Sequence, residues 1–301
     1  MQLLYMLNRD EHLDLKTLLE EYNGGIWKTY ELYIFQLYLM LRVAGCAEKD
    51  AANRASKLLP SEDDKVFQPI LYTNPCVHSL ANHVPFLNIV AKNKFNENLD
   101  EDLIWRIYLS FADTETYKKY LADPELDNDK HIKLMLELYR FLVDNDLFIE
   151  LTEERFNNWY DDESLVVGAI KKTIKAMPLE NSDFYKEFEP SDETVREFGE
   201  ELLRKTSQED EMLFAHIEPV LKNWDAERVA VLDMVMLKMA LCELLHFPTI
   251  PPKVTINEFI EISKLYSTEK SKDFINGVLD KLMKKLEKDG AINKEGRGLM
   301  E

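Results

Sequence analysis

The sequence predicts an all-α protein, a helical bundle with an additional helical insertion domain. Apolar residues recur with helical period along nearly the whole chain. Only 9 glycines and 11 prolines punctuate 301 residues, too few for a strand-and-turn architecture or for long disordered tracts. Hydrophobic residues make up 46%, enough for a sizeable core.

The opening residues, MQLLYML, read as the middle of an amphipathic helix without a cap. Ile26 to Val43 carries Trp27, Tyr30, Tyr33, Phe35 and Tyr38 and is apolar on most sides, which predicts a well-buried helix. A shorter, more charged helix runs from Ala47 to Leu59 and stops at Pro60. Ser61 to Pro75 is linker-like, with Glu62, Asp63 and Asp64 among its prolines. Helices follow over Val77 to Lys94, Asp102 to Ala112, Thr114 to Leu121, Lys130 to Asp144, Glu153 to Trp159 and Asp161 to Met177. The acidic, proline-punctuated stretch from Leu179 to Asp192 marks a boundary.

Beyond it, Phe198, Leu202 and Leu203 face inward on one helix, and Met212 to Leu221 forms another. Trp224, Arg228, Leu232 and Asp233 lead into a helix carrying Lys238, Ala240, Glu243 and Leu244. That helix is apolar nearly all round, the mark of a central helix. After Pro251 and Pro252, Thr255 is the expected N-cap of the next helix, with Glu258 completing a capping box. Ser267 or Thr268 opens the last helix, which buries Phe274, Ile275, Val278, Leu279, Leu282, Met283 and Leu286. Gly277 lies inside it, at a cost of about 1 kcal/mol relative to alanine, and points to a close approach by another backbone. Asn257 and Asn276, at the edges of apolar faces, suit hydrogen bonds across the joint between these two helices.

Charge and composition exclude several function classes. The formal charge is -19, which disfavours non-specific nucleic-acid binding. From Pro251 onward ten Lys/Arg stand against nine Asp/Glu, which leaves the first 250 residues at -20, so nucleic-acid contact is expected as a local patch near the C-terminus. Cys46, Cys76 and Cys242 form no CxxC pair, and no stretch of about eighteen apolar residues suggests a membrane span, so a cytoplasmic protein is expected. Cys76, His78 and His83 match no standard zinc spacing. Asp161, Asp162 and Glu163 are explained by a helix start. With no Ser/His/Asp order, glycine-rich phosphate loop or H-E-x-x-H, neither catalysis, a metal nor a cofactor is expected.

Val254, Ile256, Asn257 and Glu258, followed by the run from Phe274 to Asp280, resemble the V-x-I-N-E-A and F-V-N-G-V-L-D signature of the NusB family of transcription antitermination factors. Trp224, Arg228, Leu232, Asp233, Lys238, Ala240, Glu243 and Leu244 are similar to that family's W-x3-R-x3-L-D-x4-[RK]-x-A-x2-E-L run, and Ile217, Pro219 and Leu221 to its I-x-P-x-L segment. Met1 to Tyr5 resembles the core of its first helix, which in the family follows an arginine-rich arm, so a shortened N-terminus is expected. The resemblance implies a NusB-like domain formed by residues 1–13 and 191–289, a helical insertion at 14–190 and a flexible tail at 290–301.

It further implies a non-enzymatic antitermination factor. Such a factor binds boxA-type single-stranded RNA with a small-subunit ribosomal protein, NusE, in the transcription elongation complex. Tyr5, Lys238, Lys270 and Phe274 are the implied RNA-binding residues and Asp233 the implied protein contact, with Asn257, Asn276 and Gly277 structural. Two residues keep a second reading: Phe274 as a core residue, and Asp233 as the ion-pair partner of Arg228 or Lys238. Asp273 stands where the family often has a basic residue, and Cys242 and Val220 replace aromatics. These departures favour an alternative, a protein-interaction scaffold that has lost RNA binding. A third reading, the N-terminal domain of a ribosomal RNA cytosine methyltransferase, lacks the glycine-rich cofactor loop and catalytic cysteines it would require.

Overall fold

A computed structural model describes residues 1–10, 12–221 and 229–299. The protein is all-α. Its chain divides into two compact units, Met1–Ile26 with Pro190–Glu301, and Trp27–Glu189.

Helix α1 (Gln2–Arg9) is followed by α2 (Leu15–Ala55), whose first turn is capped by Asp14 Oδ1 accepting the Thr17 amide at 2.8 Å. The two helices expected between Ile26 and Leu59 are one. No proline falls between residues 15 and 55, so nothing removes a backbone donor, and neither the Gly24–Gly25 pair nor Gly45 stops it.

In the second unit, α3 (Glu62–Val66) and α4 (Ile70–Thr73) are short turns within the linker-like stretch. The helix expected over Val77 to Lys94 is two, α5 (Pro75–Ala81) and α6 (Val84–Lys92). Pro85 fits only the first turn of a helix, and His83 caps that turn by accepting the Phe86 amide on Nδ1 at 3.2 Å. Side chains of Asp100, Thr114, Asp127 and Asn145 cap α7 (Glu101–Ala112), α8 (Glu115–Leu121), α9 (Asn128–Val143) and α10 (Asp146–Glu153). The Asn145 cap starts α10 earlier than the expected Glu153–Trp159 helix, and α11 (Trp159–Lys175) completes the unit.

Aromatic side chains fill this core, with Tyr33, Phe35, Tyr108, Phe111, Tyr139, Phe148 and Trp159 all buried. Their hydroxyls are matched to buried acceptors, as burial requires. Tyr139 donates to Gln36 Oε1 at 2.6 Å, Tyr108 to Asp50 Oδ2 at 3.0 Å, and Tyr33 pairs with Thr173 Oγ1 at 2.8 Å.

The first unit resumes with a π-helical segment, Glu193–Glu200, that leads into α12 (Glu201–Gln208) and α13 (Asp210–Ile217). The Tyr22 hydroxyl donates to Val195 O at 3.1 Å, and its phenol lies where a Cβ at Gly199 would stand. Helix α14 (Val231–His246) is central, touched by α1, α12, α13, α15 (Pro252–Tyr266) and α16 (Glu269–Lys288).

Helix α15 begins three residues before the expected cap. Pro252 at its first position brings a preset φ and needs no amide partner, so the chain starts there with Pro251 as N-cap. Thr255 is consequently inside the helix and fully buried. The last helix starts after Thr268, as expected, and ends at Gly290, whose φ of +64 suits glycine. Residues 291–299, placed in a tail by the sequence, run back over the α14–α15 connection. Lys294 Nζ donates to Phe247 O, and the Glu295 amide to Pro248 O, each at 2.9 Å.

Candidate functional site

The α15–α16 joint is held onto α14 by one short contact. Ser267, which closes α15, donates its hydroxyl to Asp233 Oδ1 at 2.6 Å. One residue on, the Thr268 and Ser271 hydroxyls pair at 3.0 Å across the first turn of α16. Asp233 is therefore buried, at 5% exposure. Its expected ionic partner Lys238 is engaged elsewhere, and Arg228, like Trp224, lies outside the described residues. Among the described residues, the Ser267 hydroxyl is the group that satisfies this carboxylate.

On α16, Lys270 is exposed in the first turn and Phe274 lies one turn later on the inward side, 9% exposed within the core. Asp273, Asn276 and Gly277 are exposed on the outward side, and Asn257 is exposed on α15. The roles expected for three of these residues need correction. Asn257 and Asn276 form no hydrogen bond across the joint among the described residues, and a Cβ at Gly277 would meet nothing within 4 Å. The packed side of α16 is carried by its apolar residues with Ser271, which leaves these other polar positions facing solvent.

Tyr5 and Lys238 stand on different elements. Tyr5 is 36% exposed on α1, with the Arg9 guanidinium 5.4 Å from its ring centroid. Lys238, on α14, is bound to Asp210 Oδ1 at 2.5 Å and lies 5.6 Å from the Phe214 ring. A cavity of about 390 Å³ opens here, lined by Leu4, Leu7 and Asn8 of α1 together with Lys238 and Asp210. The four RNA candidates thus fall into two places, Lys270 with Phe274 on α16, and Lys238 with α1 beside this cavity.

Sequence reasoning missed a second charged locus at the far end of α14. Burial pushes the Glu243 carboxyl above the ordinary glutamate range, opposed by the Thr255 hydroxyl and the Lys294 ammonium. Burial likewise lowers Lys294, opposed by Glu243. Burial raises the Cys242 thiol to about 11, which keeps it protonated at neutral pH. No sequence spacing links Glu243 to Lys294. Among the described residues no group of three or more His, Cys, Asp or Glu side chains converges, and no helix is long and apolar enough to cross a membrane.

Comparison with known proteins places this geometry. The model of the NusB family matches residues 164–284, which includes all of α12 to α15 and most of α16. The transcription antitermination protein NusB of Salinibacter ruber is 44% identical over 109 residues, covering 36% of this chain and 68% of the relative. That of Chloroherpeton thalassium is 36% identical over 111 residues, or 37% of this chain and 53% of the relative. That of Methylacidiphilum infernorum is 38% identical over 112 residues, or 36% and 78%. No solved structure matches significantly. With the all-α fold, the family model over the helices around α14 and relatives at 38% and 44% identity covered over two thirds of their length, the chain belongs to the NusB family of transcription antitermination proteins.

Proposed function

We propose that this protein is a non-enzymatic, cytoplasmic antitermination factor that binds boxA-type single-stranded RNA together with the ribosomal protein NusE during ribosomal RNA transcription. The observation that carries the reading is the family match over α12 to α16, with the signature residues Asn257, Asn276 and Gly277 presented to solvent beside Lys270. Exposed polar groups without a packing duty are available to a partner. Lys270 meets phosphate, and a base packs against the small part of Phe274 left at the surface. Tyr5 and Lys238 serve a second stretch of RNA near α1, Lys238 exchanging Asp210 for phosphate. Asp233 acts on the protein partner through the joint it fixes. In this reading residues 1–13 and 191–289 are the NusB-like domain, residues 14–190 a helical insertion and residues 290–301 an appended tail.

A second reading, a scaffold of the same fold without RNA binding, is favoured by the ion pair that occupies Lys238 and by the net charge of -19. Fluorescence anisotropy of a labelled boxA-type RNA separates them. The RNA is titrated with this protein, with NusE and with both, at about 50 and 200 mM salt, where phosphate contacts weaken. Tighter binding by the pair, reduced in Phe274→Ala and Lys270→Ala, is the expected result. A protein–protein complex with no gain for RNA would leave the scaffold.

A further inference from the structure

We infer that the cavity between α1 and α14 is a binding site for a small organic anion, a carboxylate on an apolar body. The inference does not rest on the RNA reading.

The cavity, about 390 Å³, falls within the size range of small-molecule sites. Its walls are Leu4, Leu7, Val231, Met234, Val235 and Phe214. Its polar lining residues are Lys238, Thr206, Ser207, Asn8 and Asp210. Lys238 brings an ammonium on a side chain only 11% exposed. Thr206 is 3% exposed, with its hydroxyl turned to the Cys242 thiol. Ser207 and Asn8 add a hydroxyl and an amide.

Among the described residues the one acid in this lining is Asp210, and it is the displaceable member of the ion pair. Its side chain is 57% exposed while that of Lys238 is nearly enclosed. A carboxylate entering the cavity can take the place of Asp210 on the ammonium, and Asp210 then returns to water at little cost because it is already largely hydrated. The apolar body of the ligand covers the leucines of α1 and Phe214. An uncharged alcohol of the same length gains the apolar contact alone.

Isothermal titration calorimetry on the full chain tests this with octanoate, octanol and acetyl-leucyl-leucine as titrants. Octanoate is expected to give saturable binding that octanol lacks. Acetyl-leucyl-leucine reports whether a peptide C-terminus or a fatty-acid carboxylate is the better fit. Lys238→Met, which keeps the apolar stem, should weaken octanoate at least about tenfold, the scale of a lost charge-assisted hydrogen bond. Asp210→Asn removes the internal competitor and should tighten binding, a gain that damage to the fold does not produce. Absence of saturable binding by both carboxylates, undiminished binding in Lys238→Met, or no gain in Asp210→Asn would overturn the assignment.

Discussion

The Ser267 hydroxyl and the Asp233 carboxylate, 34 residues apart in sequence, meet at 2.6 Å and fasten the entry of α16 to the first turn of α14. Asp233 is 5% exposed, and this donor offsets part of its desolvation. Ser267→Ala should therefore destabilise the protein by about 1–3 kcal/mol, and Asp233→Ala by a similar amount. The double variant should cost less than the two losses added, because both remove one bond. Urea denaturation of the four proteins measures the coupling, and strict additivity would mean that the bond contributes nothing.

Gly277 and Gly290 should respond oppositely to alanine. Gly277 is exposed in mid-helix with space around it, so Gly277→Ala should stabilise by about 0.5–1 kcal/mol. Gly290 has φ +64, where a Cβ is strained, so Gly290→Ala should destabilise by about 1 kcal/mol. Thermal melts of both variants give the two signs. A loss of stability in Gly277→Ala would show a packing role for that position.

Gly199→Ala should cost about 1 kcal/mol, because the new methyl displaces the Tyr22 phenol and breaks its hydrogen bond to Val195 O. In a Tyr22→Ala background the obstacle is gone, and Gly199→Ala should become neutral or stabilising. The test is the difference between the two backgrounds, read from denaturation midpoints. Equal costs would mean that Tyr22 is not what Gly199 makes room for.

Glu243 gives the stability curve a pH dependence of known sign. Its folded pKa is raised by burial, so the folded state prefers the protonated form. That contribution is fully present below the ordinary glutamate pKa and is lost as pH rises through the raised value. Relative to Glu243→Gln, the natural protein should therefore lose stability between acidic and neutral pH. Melts of both proteins across that window check it, and parallel curves would argue that the carboxyl is solvated.

Much of the bundle was legible because its signals are local. Thr268 stands one turn before an unbroken apolar stripe and takes the N-cap position of α16, although its hydroxyl pairs with that of Ser271 and not with a backbone amide. The α14 pattern, apolar nearly all round, predicts its central place. Thr255 misled because a capping-box pattern fits any such spacing, while Pro252 at the first helical position decides where α15 begins. Asn257, Asn276 and Gly277 misled differently, since polar residues beside an apolar stripe serve a packed joint or a solvent face equally well in one dimension. The pairing of Lys238 with Asp210, and the electrostatic influence of Lys294 on Glu243, depend on distant segments meeting, which no local period encodes.

The unbroken α2 constrains how the protein can be divided for experiment. The boundary between the units falls after Ile26, in the middle of a 41-residue helix, about 60 Å of continuous backbone ladder. A fragment cut to begin at Trp27 would open on four amide groups with no carbonyl behind them and no side chain placed to receive them. Beginning instead at Asp14 retains the carboxylate that accepts the Thr17 amide, and so a helix start that the chain itself already uses. For separate expression of the insertion, that cap and not the compactness boundary is the natural place to cut.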